Sequence, residues 1–275
     1  MDINLNEKLI TLPPPGSLAE LIEQHKPGAD VIIVNGYPVT SEHTLRDGDR
    51  IVLIRRGEKP SAAELEQLMM ARHSPGVHQQ LKQSCVGIAG AGGLGSQVAV
   101  ALARVGVGCL LVADFDLVEP SNLNRQHYFV DQIGRPKVTA LRETLTRINP
   151  ATEVRIFPTR ITAENLAAIF APVDLLIEAF DRADQKAMLT NTFLHCYPDK
   201  YLVAASGMAG YADANRIRTR RITDRFYLCG DGETAAQPGC GLMAPRVGVA
   251  AHHQANIALR LLLKQSEEEG NGTDD

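Results

Sequence analysis

The sequence predicts an α/β chain in two parts: a large domain on a Rossmann-like, mostly parallel sheet, preceded by a small unit rich in short strands. Two observations carry the large domain. First, the apolar run Val86–Ala89 ends in a glycine turn, Gly90-Ala91-Gly92-Gly93-Leu94-Gly95, and an Ala/Val-rich stretch, 97–107, follows. Second, another apolar run, Cys109–Ala113, ends in Asp114-Phe115-Asp116, so that Asp114 stands 24 positions after Gly90. Strand, glycine turn, helix, strand and acid in that order describe a nucleotide site. Gly90 permits the tight turn, Gly92 and Gly93 admit phosphate to the main chain, and Gly95 lets helix and strand pack closely. The helix N-terminus offers free N–H groups to an anion. Asp114 accepts hydrogen bonds from ribose hydroxyls.

The small unit, residues 1–58, reads as β-β-α-β-β. Asp2–Leu5 and Lys8–Leu12 are short strands at hairpin spacing. Pro13-Pro14-Pro15-Gly16 breaks the chain, and Ser17 caps a helix carrying Leu18, Leu21 and Ile22. Val31–Val34 is a strand, Asn35-Gly36 a turn, and Ile51–Ile54 the closing strand. Residues 59–83 form a linking arm. Within it Ser61 and Glu64 have capping-box spacing at the head of a helix reaching Met70, and Arg72 follows. The large domain occupies 84–265, and the acidic tail 266–275 is expected to be disordered.

Beyond the glycine turn, Val138–Ile148 reads as a helix, Glu153–Phe157 as a strand, Thr162 as the cap of a helix through Phe170, and Val173–Glu178 as a buried strand. Asp181 then sits at the C-terminal end of that strand, where open α/β sheets place their ligands, with a helix over 182–196 behind it. Tyr201–Ala205 is a further strand. Arg216–Ile222 alternates basic and apolar residues as a half-exposed strand does, Cys229–Met243 is a glycine- and proline-rich loop, and Pro245–Lys264 is the final helix. His252 and His253, adjacent in that helix, point to different faces, which favours packing or surface roles over metal binding.

Composition removes several functions. The net charge of −4 argues against nucleic acid as a partner, as do 5% aromatic residues with no Trp. No apolar run approaches the ~20 residues of a membrane-spanning helix, and the first residues lack a basic-then-apolar signal, so a cytoplasmic protein is expected. Five cysteines with no C-x-x-C pair fit neither a disulfide framework nor a four-thiolate zinc site; Cys85 and Cys109 border strands and are expected in core packing.

Which nucleotide is bound is set by the residues after the second strand. Asp114, Asp116, Asn122, Arg125, Gln126 and Lys137 crowd into one short stretch. A dehydrogenase needs little there beyond one acid. Two fixed cations and an amide beside a phosphate turn suit a triphosphate, and no G-x-x-x-x-G-K-[ST] segment makes the chain a P-loop ATPase. An NAD-dependent oxidoreductase uses Gly90–Asp114 but leaves Arg125, Lys137 and Asp181 without a task. A non-catalytic nucleotide-binding or carrier-docking protein is the other rival.

Three segments together carry a resemblance: Gly90-Ala91-Gly92-Gly93-Leu94-Gly95, then Asp114-Phe115-Asp116 through Val118-Glu119 and Ser121-Asn122-Leu123-Asn124-Arg125-Gln126, then Gly134-Arg135-Pro136-Lys137. From about Ala71 to Lys264 the chain resembles the ubiquitin-activating superfamily of adenylyltransferases, most of all the ThiF type, which adenylates the sulfur carrier ThiS in thiamine thiazole synthesis. Residues 1–58, with Asp47-Gly48-Asp49 before the last strand, resemble the ThiS-type β-grasp carriers. The resemblance implies ATP and Mg²⁺ and a partner that is a small β-grasp sulfur carrier with a Gly-Gly tail. It implies phosphate contacts from Gly93 and its neighbours, Asn122, Arg125 and Lys137, with Lys137 nearest the α-phosphorus. It implies ribose on Asp114, Mg²⁺ on Asp181, and a homodimer in which Arg72 reaches the partner's nucleotide.

The chain departs from the resemblance in two places. A working carrier ends in a free Gly-Gly carboxylate, whereas here Ile54 runs on into Arg55-Arg56-Gly57-Glu58, so the fused unit is not the adenylated substrate. Relatives often carry a zinc-binding double C-x-x-C and a reactive cysteine. Cys229 and Cys240 lack such partners, so no structural zinc is expected, and Gln237 stands where some relatives place the reactive cysteine.

Overall fold

A computed structural model of the 275-residue chain describes residues 1–264 apart from 7, 14, 15, 59, 61–64, 67, 70, 72, 74 and 75. The chain divides into two compact units, Met1–Gln79 and Gln80–Asp275. Arg72 and the Ser61/Glu64 capping pair lie outside the described residues, as does the tail from 265.

The first unit holds a mixed five-stranded sheet with a helix packed on one face. Its strands are β1 (Asp2–Leu5), β2 (Lys8–Thr11), β3 (Val31–Val34), β4 (Tyr37–Val39) and β5 (Arg50–Ile54), in the order β2-β1-β5-β3-β4. β1 and β5 run parallel, and the other pairs antiparallel. Helix α1 (Leu18–His25) begins where the Ser17 hydroxyl accepts the Glu20 N–H at 3.1 Å. It lays Leu18 and Leu21 against Ile3, Leu5, Ile51 and Leu53 on one face of the sheet. On the opposite face Ile33 and Val52 pack with Leu68 and Ala71. Strand β4 was not foreseen. Asn35 and Gly36 both take positive φ, 53° and 87°, the two-residue turn that returns a hairpin, and β4 itself exposes Tyr37 (75%). An edge strand of that composition carries no alternating apolar signal.

The second unit contains β6 (Cys85–Ala89), β7 (Cys109–Ala113), β8 (Glu153–Phe157), β9 (Leu175–Glu178), β10 (Tyr201–Ala205), β11 (Arg218–Thr223) and β12 (Phe226–Gly230). Their order is β11-β12-β10-β9-β6-β7-β8, parallel throughout except β11 against β12. From β6 the chain steps outward to β7 and β8, then returns to the other side of β6 as β9. The strand order therefore reverses between β6 and β9, and the crevice at their C-terminal ends is where such sheets hold ligands. Helices α2 (Val77–Lys82), α3 (Gly93–Arg104), α4 (Lys137–Ile148), α5 (Ala163–Phe170), α6 (Ala183–Cys196) and α7 (Ala244–Leu262) complete the described helices; α2 begins in the last residues of the first unit. One core joins Leu111, Leu166, Phe170, Leu176, Leu189, Phe193 and Leu202. Cys85 and Cys109, opposite one another in the β6/β7 register, pack half-buried against it.

Two expectations for the last third are corrected. Cys229 and Gly230 are not loop but the end of strand β12, which the glycines and prolines beyond them obscured. The basic strand is exposed at all six positions, Arg218–Thr223, because β11 is the sheet edge and pairs with β12 alone. Helix α7 reaches it through His253 Nδ1, 3.0 Å from Thr219 Oγ1, while His252 Nδ1 lies 2.8 Å from the Gly248 carbonyl of its own helix. Among the described residues no helix is long and apolar enough to cross a membrane.

Candidate active site

A cavity of about 770 Å³ opens at the C-terminal ends of β6, β7, β9 and β10. Its floor is the glycine turn. Gly90 has φ +99°, and a Cβ there would stand 2.8 Å from the Ala179 carbonyl oxygen, so the turn after β6 and the turn after β9 touch. A Cβ on Gly95 would lie 1.8 Å from the Gly90 oxygen, which leaves room for hydrogen alone. Helix α3 starts at Gly93 with Gly92 as its cap, and no side chain satisfies its first N–H groups. Those donors and the helix dipole face the cavity, a ready anion site.

The residues after β7 arrange themselves around this turn. Asp114 is mostly buried. One carboxylate oxygen accepts the Ala91 N–H at 2.6 Å and the other the Asp116 N–H at 2.8 Å, each keeping a lone pair for a further donor. Burial raises its pKa, opposed by the two N–H bonds and by Lys137. Lys137 opens α4, which returns to the site because its own N–H donates to the Asp116 carbonyl at 2.9 Å. Its side chain is only 7% exposed, and Nζ pairs with Asp116 Oδ2 at 2.9 Å. Asn122 is buried and accepts the Glu119 N–H at 3.1 Å. Arg125 packs its stem 3.5 Å from the Cβ position of Gly93 and anchors Nη1 on Ser121 O and Asn124 Oδ1, at 3.1 and 2.9 Å. Gln126 is buried with its Oε1 unpartnered, although buried amide oxygens ordinarily find a donor. Tyr128, its hydroxyl pushed up by burial, donates to Ala91 O at 2.6 Å from behind the turn.

Gly90, Gly92, Gly93, Asp114, Asp116, Asn122, Arg125, Gln126, Lys137 and Asp181 all line this one cavity; Gly95 is buried in the first turn of α3 and does not line it. Arg72 lies outside the described residues. Asp181 is exposed to the cavity and makes no hydrogen bond among the described residues, whereas its neighbours Arg182 and Asp184 pair with each other at 2.8 Å. No group of three or more His, Cys, Asp or Glu among the described residues could hold a metal alone. A divalent ion that arrives on a nucleotide needs fewer protein ligands, since phosphate oxygens and water supply the rest. One uncommitted carboxylate fits that requirement.

Sequence reasoning missed the opposite wall. Glu178, wholly buried at the end of β9, is held by Lys186 of α6; Arg160 stacks over Phe115, 4.5 Å from its ring. Ser206, Gly207 and 232–236 close the far side. That far loop is fixed by Asp231, which accepts the N–H groups of Glu233 and Thr234 and the Thr234 hydroxyl, and pairs with Arg246 at 2.7 Å. Burial opposes the charge on Asp231, but these donors outweigh it and hold the carboxyl well below the usual range. The Cys229 thiol, buried beside Thr219, is pushed up to about 11. No local sequence signal marks either ion pair.

A model of the ThiF family matches residues 65–273, and one described as ThiS-like ubiquitin matches residues 1–57. The chain belongs to the ThiF family. The sulfur carrier protein adenylyltransferase of Thermus thermophilus is 35% identical over 138 residues, 50% of this chain and 46% of that one. The chain thus spans just under half of that relative's length. The molybdopterin-synthase adenylyltransferase of Escherichia coli is 33% identical over 189 residues, 67% of this chain and 75% of that one. Among solved structures, the E. coli tRNA N6-threonylcarbamoyladenosine dehydratase TcdA in complex with ATP superposes with a TM-score of 0.67. At 22% identity, over 77% of this chain and 99% of that one, it shows a shared fold. This ThiF-family chain therefore joins a ThiS-like unit to a Rossmann-like ThiF-family domain, as its motifs predicted.

Proposed function

We propose that this protein uses ATP to adenylylate the C-terminal Gly-Gly carboxylate of a separate, small β-grasp sulfur carrier. The observation that carries the reading is the gathering of the uncapped glycine turn, Asp114, Arg125, Lys137 and Asp181 around one cavity. A carboxylate oxygen of the carrier attacks the α-phosphorus. The bond from that phosphorus to the bridging oxygen breaks, and pyrophosphate leaves. The chain's contribution is positioning and charge stabilisation. The N–H groups at the start of α3 receive phosphate oxygens, Asn122 and Arg125 flank them, and Lys137, nearly dry, meets charge growing at the α-phosphorus. Asp114 orients the ribose, and the unpartnered Gln126 Oε1 accepts from the nucleotide. Asp181 would hold Mg²⁺, which supplies neutralisation of the phosphate charge.

A ThiS-type carrier of thiamine thiazole synthesis is the substrate we favour, because the chain's own first unit is ThiS-like. A molybdopterin-synthase-type carrier is the second reading, favoured by the name of the E. coli relative. Exposed Phe129, Val130 and Ile133, all in the excursion between β7 and α4, support a homodimer that buries them. On this reading the reaction runs in the cytoplasm, where ATP is plentiful. The test is exchange of labelled pyrophosphate into ATP, with and without each carrier. Carrier-dependent exchange supports the reading and ranks the two carriers. Its absence with both, together with saturable NADH binding, overturns it in favour of the oxidoreductase; ATP binding without exchange favours the non-catalytic rival.

A further inference from the structure

Lys186 is the fourth residue of α6, eight residues after Glu178, and its ammonium is spent entirely on the protein. It donates to both carboxylate oxygens of Glu178, at 3.0 and 2.9 Å, and to the Ala205 carbonyl at 3.0 Å. Three hydrogens meet three acceptors, so none is left for a ligand, although the side chain borders the cavity. Glu178 in turn accepts the Phe180 N–H at 2.7 Å, which folds the residues between β9 and Asp181 into a fixed turn. The Ala179 N–H of that turn donates to the Ala89 carbonyl at 2.9 Å, and its carbonyl abuts Gly90. Ala205 is the last residue of β10, directly before Ser206 and Gly207 on the far wall. One ammonium therefore joins the Asp181 turn, which itself abuts the glycine turn, to the far wall.

From this geometry we infer that Lys186 is a positioning residue for adenylylation: through Glu178 and Ala205 it holds the Asp181 carboxylate and the Ser206–Gly207 main chain in register with the glycine turn. The inference rests on the adenylylation reading, and it deepens that reading by assigning a task to a residue that touches no substrate. Burial works against the charge on Glu178 and raises its pKa, opposed first by Lys186 and then by the N–H groups of Phe180 and Ala205. Without Lys186 this carboxylate is a buried charge lacking its counter-ion.

The test uses the full-length protein with Lys186→Met, Lys186→Arg and Glu178→Gln/Lys186→Met, each at a temperature where circular dichroism shows it folded. Two quantities are read: kcat and KM for ATP in carrier-dependent exchange, and the factor by which Mg²⁺ tightens ATP binding in calorimetry. A displaced turn costs about 10²-fold in kcat, so K186M loses that much with little change in KM for ATP. Its Mg²⁺ enhancement of ATP binding shrinks as well, while K186R retains most of both. The melting temperature of K186M falls as pH rises through the Glu178 pKa, because a carboxyl whose pKa is raised by burial favours the folded state only while protonated. The double variant flattens that pH dependence but stays slow, since the tie to Ala205 is still missing. Wild-type kcat and Mg²⁺ enhancement in K186M overturn the inference, as does an equal loss of ATP affinity with and without Mg²⁺. If K186M does not fold, Glu178→Gln alone carries the same two readings. Absence of exchange in the wild type counts against the adenylylation reading only, because the calorimetric comparison still reads Lys186.

Discussion

The two walls of the cavity are built on different principles. The wall from β6 to α4 is wired locally: Ala91, Asp114, Asp116, Asn122 and Lys137 bond mostly to the main chain within one continuous stretch, and the groups left over point at the ligand. The wall from β9 to α7 is wired by buried ion pairs between elements, Glu178 with Lys186 and Asp231 with Arg246, and its lining mixes small residues such as Ala205, Ser206 and Gly207 with larger ones such as Phe180 and Met208. The first wall holds the ribose- and phosphate-facing groups; the second adds Asp181 and otherwise holds shape. Cutting the first should cost rate more than stability, and cutting the second should do the reverse at Arg246.

The largest effect expected is at that residue. Arg246 is 3% exposed and also donates to Thr234 Oγ1 and Ala209 O, so Arg246→Met leaves Asp231 charged, buried and unpaired. Unfolding in urea should show a loss of about 3–5 kcal/mol, typical of a buried pair broken on one side. A loss under 1 kcal/mol would mean that the far loop is not held by this pair. Next comes Lys137→Ala on the first wall, expected to lower carrier-dependent exchange by about 10²–10³-fold, as loss of one preorganised donor does. Its urea midpoint should stay close to wild type; exchange at the wild-type rate would remove Lys137 from the reaction. Smaller again is Ser96→Ala. Ser96 donates to Gly92 O at 2.7 Å and accepts the His127 N–H at 3.1 Å, a local tie whose removal costs about 1 kcal/mol.

The smallest effect is in the pH profile of stability. Asp231 has a depressed pKa in the folded state, so its contribution is complete above the ordinary aspartate value of 3.8 and is lost as pH falls through the folded value. Acid unfolding below about pH 4 should therefore soften in Asp231→Asn, which no longer titrates there. A steep acid limb unchanged in that variant would place the titrating carboxylates elsewhere.

The same contrast explains what could be read from the sequence. The Gly90–Asp114 spacing, the Asn122–Lys137 cluster and the position of Asp181 after an apolar strand were legible because each depends on neighbours in the chain. Glu178 passed as the last residue of a buried strand. Nothing local reveals that Lys186, eight positions on, will meet it or that Ala205 will supply a third acceptor. Arg246 read as a helix residue and Asp231 as part of a glycine-rich loop, 15 positions apart with a polar segment between them. Strand β12 was hidden for a related reason: Phe226–Gly230 gains its place from pairing with β10 and β11 rather than from its own pattern. Edge strand β4, three residues with Pro38 at its centre, has too little apolar alternation to be seen.

The most direct test is intact-mass analysis of a small Gly-Gly carrier after incubation with this protein, ATP and Mg²⁺. A carrier heavier by one adenylyl group, formed with the wild type and absent with Lys137→Ala, is the predicted result. Unmodified carrier, from protein shown to bind ATP, would contradict it for every ThiS-type and molybdopterin-synthase-type carrier tried.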